Sequence, residues 1–158
     1  MTLEEALRVH TREHFEFVAN AGVETVFPLF GAETERIWAD DWNPRFVWPS
    51  KAEDREGMVF HIPQGERTAT WVNTVFDREA CRIQYVYVLP DVVATVITLS
   101  LTAWRDCTHV AVRYERTSLS AEADALVVDM ARRDAAAGTE WAAQINRYLA
   151  QAAASRKA

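Results

Sequence analysis

The last long stretch of the chain, residues 120–154, constrains the fold more than any other part of the sequence. Ser120 is a typical helix N-cap, and Gly138 predicts a kink, or a join between a short helix and a longer one. Apolar residues recur there at the spacing of one helix face: Leu126, Met130, Ala137, Trp141, Ile145 and Tyr148 with Leu149. A helix with one apolar face has to bury that face, and the strands before it supply the surface.

Those strands fill residues 45–118. Alternation and turn signals predict six of them, at 45–49, 58–62, 68–77, 82–89, 92–104 and 107–118. A strand at 9–19 and two short helices, at 22–30 with Asn20 as N-cap and at 32–39, precede them. A capping box at Thr2–Glu5 predicts a further helical turn.

Turn lengths decide which side chains share a sheet face. A two-residue turn at Arg105-Asp106 places Ile97, Leu99 and Leu101 opposite Tyr114, Val112 and Val110. A turn of odd length near 89–91 adds Ile83, Tyr85 and Tyr87 to this wall, whereas a two-residue turn there turns them away. The sequence leaves both registers open.

The bulk properties fit one domain, residues 1–158, with a structured core at about 9–154 and a frayed tail. A net charge of −6 argues against nucleic acid or an anionic membrane as partner. Cys81 and Cys107 match no disulfide framework and no zinc spacing. No signal peptide and no membrane span is recognisable. We therefore expect a cytoplasmic protein with reduced thiols.

Several local signatures follow one another in a characteristic order. They are VFPLF at 26–30, ERIWA at 35–39, WNP at 42–44, GMVF at 57–60, RIQYVYV at 82–88, RYERTSLS at 113–120, EW at 140–141 and NRYL at 146–149. As an ordered set over nearly the whole chain, they resemble the START-like (SRPBCC) superfamily, which includes birch-allergen, polyketide-cyclase and START lipid-binding domains. No catalytic motif is universal in that superfamily, so the resemblance assigns no catalytic residue.

The resemblance implies an α+β helix-grip fold. In such a fold a curved antiparallel sheet of about seven strands wraps around a long C-terminal helix and leaves a mostly apolar cavity between them. Residues on the helix and on the concave face then become ligand-binding candidates: Trp38, Trp42, Trp48, Phe60, Tyr85, Tyr87, Tyr114, Met130, Asp134 and Trp141.

Two groups of these candidates have alternative interpretations. The tryptophans at 38, 42 and 48 either contact a ligand at the cavity mouth or plug the open end of the core. The tyrosines either orient a ligand through their hydroxyls or serve the core. Asp134 lies on the apolar stripe, where a carboxylate is costly unless paired. It is either a cavity base or anchor, or one half of a surface ion pair.

No metal or cofactor is expected. His10 and His14 share a strand face but stand ~13 Å apart, and no four-ligand set emerges. The sequence has neither a Gly-rich phosphate loop nor a GxSxG motif.

Three functions remain as hypotheses. The leading one is binding of a small hydrophobic or aromatic molecule between the 138–149 part of the helix and the concave wall. The second is a cyclase or dehydratase acting on a polyketide-like or lipid-like substrate. The third is a co-chaperone-like module, which needs an exposed apolar patch. Whether the chain forms a homodimer is left open.

Overall fold

A computed structural model describes residues 7–157, and within it one antiparallel sheet dominates. The sheet has seven strands in the order β1-β7-β6-β5-β4-β3-β2, so the first strand closes onto the last. The strands are β1 (His10–Ala19), β2 (Arg45–Trp48), β3 (Val59–Gln64), β4 (Arg67–Asp77), β5 (Arg82–Leu89), β6 (Val93–Trp104) and β7 (Cys107–Ser118). The predicted helical turn at Thr2–Glu5 lies outside the described residues.

The predicted register of β6 and β7 is confirmed, and of the two registers left open for β5 and β6 the structure has the odd-turn one. Leu99 pairs with Val112, and Leu101 pairs with Val110, across the Arg105-Asp106 turn. Leu89 pairs with Val93, which leaves the odd-length turn 90–92 between β5 and β6. Because this turn is odd, Tyr85 pairs with Ile97 and faces the interior. Register shifts in β2 and β4 add the bulges that help to curve the sheet.

The helices lie against one side of this sheet. They are α1 (Val23–Val26), α2 (Asp124–Ala136) and α3 (Gly138–Lys157), with 3-10 turns at Phe27–Phe30, Thr34–Ile37 and Ala121–Ala123. The predicted join at Gly138 is confirmed, and α3 continues to Lys157, beyond the predicted end at 154. A Cβ at Gly138 would stand 3.1 Å from the Phe15 ring. The glycine therefore lets α3 approach β1 closely.

Three helical details differ from the sequence expectation. Leu126 is 42% exposed, and α2 instead buries Val127, Ala131 and Asp134. The break at Ala137 changes the helical phase between α2 and α3. An apolar face predicted as if the two helices were continuous is therefore displaced by one residue in α2, from Leu126 to Val127. Gly22, not Asn20, precedes α1. The predicted helix at 32–39 is a single 3-10 turn, Thr34–Ile37.

The interior is unusually aromatic. Phe60 is fully buried and stacks on Trp71 at 5.6 Å between ring centroids, and Phe15 meets Trp141 edge-on at 5.2 Å. Such pairs add to the stabilisation that comes from burying their area. None of the helices within residues 7–157 has the length and hydropathy needed to cross a membrane.

Candidate functional site

A cavity of about 220 Å³ opens between the first turns of α3, the 3-10 turns and the inner face of the sheet. Trp38, Trp42, Tyr85, Tyr114 and Trp141, all candidates from the sequence, lie in its wall. The complete lining is Phe30, Glu35, Trp38, Ala39, Asp40, Asp41, Trp42, Trp71, Tyr85, Ile97, Leu99, Tyr114, Glu140, Trp141 and Gln144. The cavity thus lies between the 138–149 part of the helix and the concave wall.

Hydrogen bonds fix the tryptophans at the cavity wall. The Trp38 indole N–H donates to the carbonyl of Leu29 at 2.6 Å, and that of Trp42 donates to the carbonyl of Ala32 at 2.7 Å. Trp141 meets Trp38 edge-on at 6.1 Å between centroids. Because both indole N–H groups are occupied, these rings offer a ligand their faces and edges rather than a donor.

Trp71, on β4, is a wall residue that the sequence analysis did not single out. It is 8% exposed and stacks on Tyr87 at 4.3 Å between centroids. Its indole nitrogen is buried and has no hydrogen-bond acceptor within residues 7–157. Strand alternation places Trp71 inward beside Ala69 and Asn73, so the signal was present in the sequence.

Glu35 is the second unforeseen residue and the most buried acid in the lining. It lies in the Thr34–Ile37 turn and is only 9% exposed. Among the described residues, no side chain or backbone group forms a hydrogen bond or ion pair with its carboxyl group. Burial, and then the negative charge of Asp54, raise the pKa of Glu35 well above its ordinary value. The Glu35 carboxyl group therefore keeps its proton to a higher pH than an exposed glutamate does.

Asp54, in the loop between β2 and β3, holds the turn that carries Glu35. Its carboxylate accepts hydrogen bonds from the backbone N–H groups of Glu33 at 2.7 Å and Thr34 at 3.0 Å. The Thr34 hydroxyl donates a third at 2.6 Å. A Cβ at Gly31 would stand 2.3 Å from this carboxyl group. Glycine there leaves the space that Asp54 needs to cap the turn.

The two tyrosine hydroxyls of the lining have different surroundings. Tyr85 donates to the carbonyl of Phe30 at 2.7 Å, whereas the Tyr114 hydroxyl has no hydrogen-bond partner within the described part of the chain. Burial raises the pKa of both tyrosines, and the negative charge of Glu35 contributes to each shift. Both hydroxyls are thus held in the protonated, hydrogen-bond-donating form.

Asp134 belongs to a separate network, where it is half of an ion pair as one of the two alternatives expects, but the pair is buried and not on the surface. The Arg116 guanidinium donates to both carboxylate oxygens, at 2.6 and 2.8 Å. Arg116 also donates to the Tyr87 hydroxyl and to Thr95 at 3.1 Å. Burial opposes the charge on Arg116, but its bonds to Asp134 and Tyr87 outweigh burial and raise its pKa. Tyr87, Met130 and Asp134 line a second, smaller cleft with Arg116 and Arg133.

Two further candidates lie outside the cavity lining. Phe60 is completely buried behind the wall, between Phe46 and Trp71. Trp48 is 47% exposed and packs under Arg55. A register shift between Phe46 and Trp48 pairs Trp48 with Val59, and this bulge turns the ring away from the interior.

Metal-ligating side chains are not clustered in the described structure. Across residues 7–157, no group of three or more His, Cys, Asp or Glu side chains could hold a metal ion. Cys81 and Cys107 are both free and partly buried. The cavity wall itself offers aromatic contact, two tyrosine hydroxyl groups, carboxyl groups and the amide of Gln144.

Comparison with known proteins finds similarity in structure but not in sequence. No family model and no curated protein sequence matches the chain.

Several solved structures superimpose over most of the chain. Norcoclaurine synthase from Thalictrum flavum, solved in complex with dopamine and hydroxybenzaldehyde, aligns with a TM-score of 0.65 and 12% identity over 96% of this chain and 93% of its own. Ara h 8.0201 aligns with a TM-score of 0.58 and 9% identity, over 85% and 98% of the two chains. DynU16, from the dynemicin biosynthetic locus, aligns with a TM-score of 0.58 and 13% identity, over 87% of this chain and 46% of its own. At such identities the likeness concerns the fold, and this chain has the START-like helix-grip fold that its sequence signatures predict.

Proposed function

We propose that the protein binds a small aromatic molecule in the cavity beside α3. The observation that supports this most is the composition of the wall, which contains seven aromatic side chains around an open space of about 220 Å³. A core that needed only to be filled would close over such a space, because packed interiors rarely keep voids larger than water. An open aromatic cavity with a few polar groups is typical of a ligand site.

The size of the cavity limits the ligand. Sites for drug-sized molecules have volumes of about 300–1,000 Å³, and this cavity is smaller. One or two fused rings with a short substituent fit this volume better than a sterol or a long polyketide. The hydrogen-bonded Trp38 and Trp42 make the wall rigid, so binding would need little reorganisation.

Thermal unfolding with a ligand panel tests the proposal. Indole, naphthol, a flavone, a sterol and a fatty acid would each be added to the purified chain. A one- or two-ring compound at about 100 times its Kd should stabilise the fold by about 2.7 kcal/mol. For a domain of this size that is a rise of roughly 5–10 °C in Tm. Quenching of tryptophan fluorescence would give the Kd independently.

Matched variants then locate the binding. Ala39 lines the cavity, and Ala39→Leu should weaken binding by narrowing the space. Ala143, on the exposed side of α3, provides the control, since Ala143→Leu makes the same change away from the wall. The proposal is refuted if no ring compound stabilises the wild type, or if the two variants weaken binding equally.

Glu35 supports a second candidate, an acid–base enzyme of the cyclase or dehydratase kind. Asp134 is paired with Arg116, and the Tyr85 hydroxyl donates to a carbonyl group. The Glu35 carboxyl group and the Tyr114 hydroxyl in the cavity wall have no hydrogen-bond partner among the residues that the structure describes. Burial, and then the charge of Asp54, raise the pKa of this carboxyl group, and a carboxyl group that keeps its proton can act as a general acid. Hydrogen–deuterium exchange at the methyl group of acetophenone, followed by NMR, tests this candidate. Catalysed exchange that disappears in Glu35→Gln would support it, and exchange at the background rate would dismiss it.

The third hypothesis, a co-chaperone-like module, is not adopted. It requires a contiguous exposed apolar patch. Among the described strand residues, the exposed large apolar side chains are Val47 and Trp48 on β2, at one edge of the sheet, Val88 on β5 and Trp104 at the end of β6, and neither β5 nor β6 neighbours β2.

A further inference from the structure

The charged groups of the cavity wall all have the same sign. Of the side chains in residues 7–157, four carboxyl groups line it, and no Lys, Arg or His does. Glu35 is buried, while Asp40, Asp41 and Glu140 are exposed and lie where the cavity opens to solvent. A cavity walled by acids favours a cation and disfavours an anionic ligand such as a fatty acid or a phosphate ester.

Nearby cationic side chains do not neutralise the carboxyl groups of the cavity wall. Arg116 packs over the Tyr114 ring, 4.9 Å from its centroid, but Asp134 already neutralises it through two hydrogen bonds. Arg147 reaches Asp40 at 3.4 Å in an exposed pair, and such a pair contributes little. Glu35 has no cation partner among the described residues.

The remaining wall suits the same ligand chemistry. The electron-rich faces of Trp, Tyr and Phe attract cations, most strongly those of Trp. Trp38, Trp42, Trp71 and Trp141 all line the cavity. In a cavity with limited access to water, such contacts are stronger than on the surface.

We propose that the ligand of this cavity is an aromatic amine, whose ammonium group binds the Glu35 carboxylate while its ring lies among the tryptophans. This inference rests on the proposed function and adds the charge of the ligand. Two observations carry it: Glu35 is nine-tenths buried and its carboxyl group has no partner among residues 7–157, and the charged side chains that those residues contribute to the aromatic wall are all acids.

Binding of an amine should release a proton. Burial, and then the charge of Asp54, raise the pKa of Glu35. An ammonium group beside the carboxylate would lower this pKa. The affinity for the amine should therefore increase with pH up to the pKa of Glu35 and then level off. The titratable groups around Glu35 are Asp54 in the loop, Tyr85 on β5, Tyr114 on β7 and, at the opening, Asp40, Asp41 and Glu140.

Two matched ligand pairs test the inference. Phenethylamine would be compared with 2-phenylethanol, and tryptamine with indole-3-ethanol, because each pair differs in the charged group alone. Isothermal titration in phosphate and in Tris counts the protons released, since the two buffers differ in ionisation enthalpy. At pH 8 we expect the amine to bind roughly ten- to a hundredfold more tightly than the alcohol, with up to one proton released.

Variants separate the role of Glu35 from a general effect of charge. Glu35→Gln should lose the preference for the amine over the alcohol and release no proton. Asp129→Asn removes a carboxylate from the exposed face of α2 and should change none of these values.

The outcomes distinguish this inference from the proposed function. If the alcohols bind as tightly as the amines, the cavity binds aromatic compounds and the amine inference is wrong. An amine preference that persists in Glu35→Gln would overturn the role of Glu35. If none of the four compounds binds, the proposed function fails together with the inference.

Discussion

Substituting Asn for Asp134 should destabilise the protein strongly, because it leaves a buried guanidinium without its counter-ion. The Arg116 and Asp134 side chains are only 8% and 9% exposed. The pair is bidentate, at 2.6 and 2.8 Å, and Arg116 also donates to Tyr87 and Thr95. Asn keeps the shape of the side chain, but its amide N–H₂ must face a guanidinium N–H. Removing one partner of such a pair typically costs about 3–5 kcal/mol.

A loss of this size is a large part of the total stability. Domains unfold with a free energy of about 5–15 kcal/mol, and 3 kcal/mol corresponds to a Tm decrease of roughly 6–12 °C at this chain length. Urea denaturation of the wild type and of Asp134→Asn, at equal m-values, measures the difference directly.

Two controls make the measurement specific. The double variant Arg116→Met, Asp134→Leu removes both charges and should recover most of the loss, since apolar replacement of a buried ion pair is often neutral or stabilising. The exposed pair of Arg132 and Asp129 has side-chain exposures of 77% and 60%, so Asp129→Asn should cost at most about 1 kcal/mol. A loss for Asp134→Asn no larger than that for Asp129→Asn, or a double variant less stable than the single one, would contradict the stabilising role of the buried pair.

Three other substitutions test the surroundings of the cavity. Glu35→Gln should leave the free energy of unfolding unchanged at pH 4 and raise it as the pH increases above the ordinary glutamate pKa of 4.5, because above that pH only the unfolded wild type ionises readily. Each tenfold difference in proton affinity between the folded and unfolded states is worth about 1.4 kcal/mol. Denaturant melts from pH 4 to pH 8 measure this, and a stability difference between variant and wild type that does not change with pH would show that the carboxyl group is solvated. Gly31→Ala should lower the Tm, because the new Cβ would lie 2.3 Å from the Asp54 carboxyl group. For the same reason its effect should not add to that of Asp54→Ala in the double variant. Thermal melts in which the two Tm decreases add fully would contradict this contact. Trp38→Ala should lower the free energy of unfolding by about 3–5 kcal/mol and Trp48→Ala by much less, because the two residues are 5% and 47% exposed. Urea denaturation measures both changes. Equal changes would contradict a buried Trp38 and an exposed Trp48.

The sheet was predictable because its registers follow from local pattern and turn length. Alternation identifies the wall formed by Leu99, Leu101, Val110 and Val112, and the two-residue turn at Arg105-Asp106 aligns both strands. The helices were less predictable, because their phase depends on tertiary contact. The break at Ala137 separates α2 from α3, and no local pattern shows that the phase changes there.

The candidate site was only partly predictable. Arg116 could have been found, because it lies two residues after the inward-facing Tyr114 on β7 and therefore shares its face. Glu35 could not, since its burial depends on the loop that carries Asp54, about twenty residues further along the chain. The sequence grouped Trp48 with the tryptophans of the cavity mouth, but a bulge on the edge strand β2 turns its side chain away from the interior. Strand alternation alone does not show such a bulge.

Within residues 7–157 the interior holds two buried carboxyl groups, those of Asp134 and Glu35, in opposite electrostatic environments. This contrast distinguishes a carboxyl group that stabilises the fold from one that belongs to the candidate site. Asp134 faces a guanidinium that satisfies both of its oxygens and ties α2 to β7. Glu35 has no counter-ion among residues 7–157, so the fold accepts an energetic cost there that a glutamine would avoid. A residue that costs stability and faces an open cavity is expected where function requires it. Neutralising Asp134 should therefore lower stability and leave the ligand preference intact, whereas neutralising Glu35 should raise stability and abolish that preference.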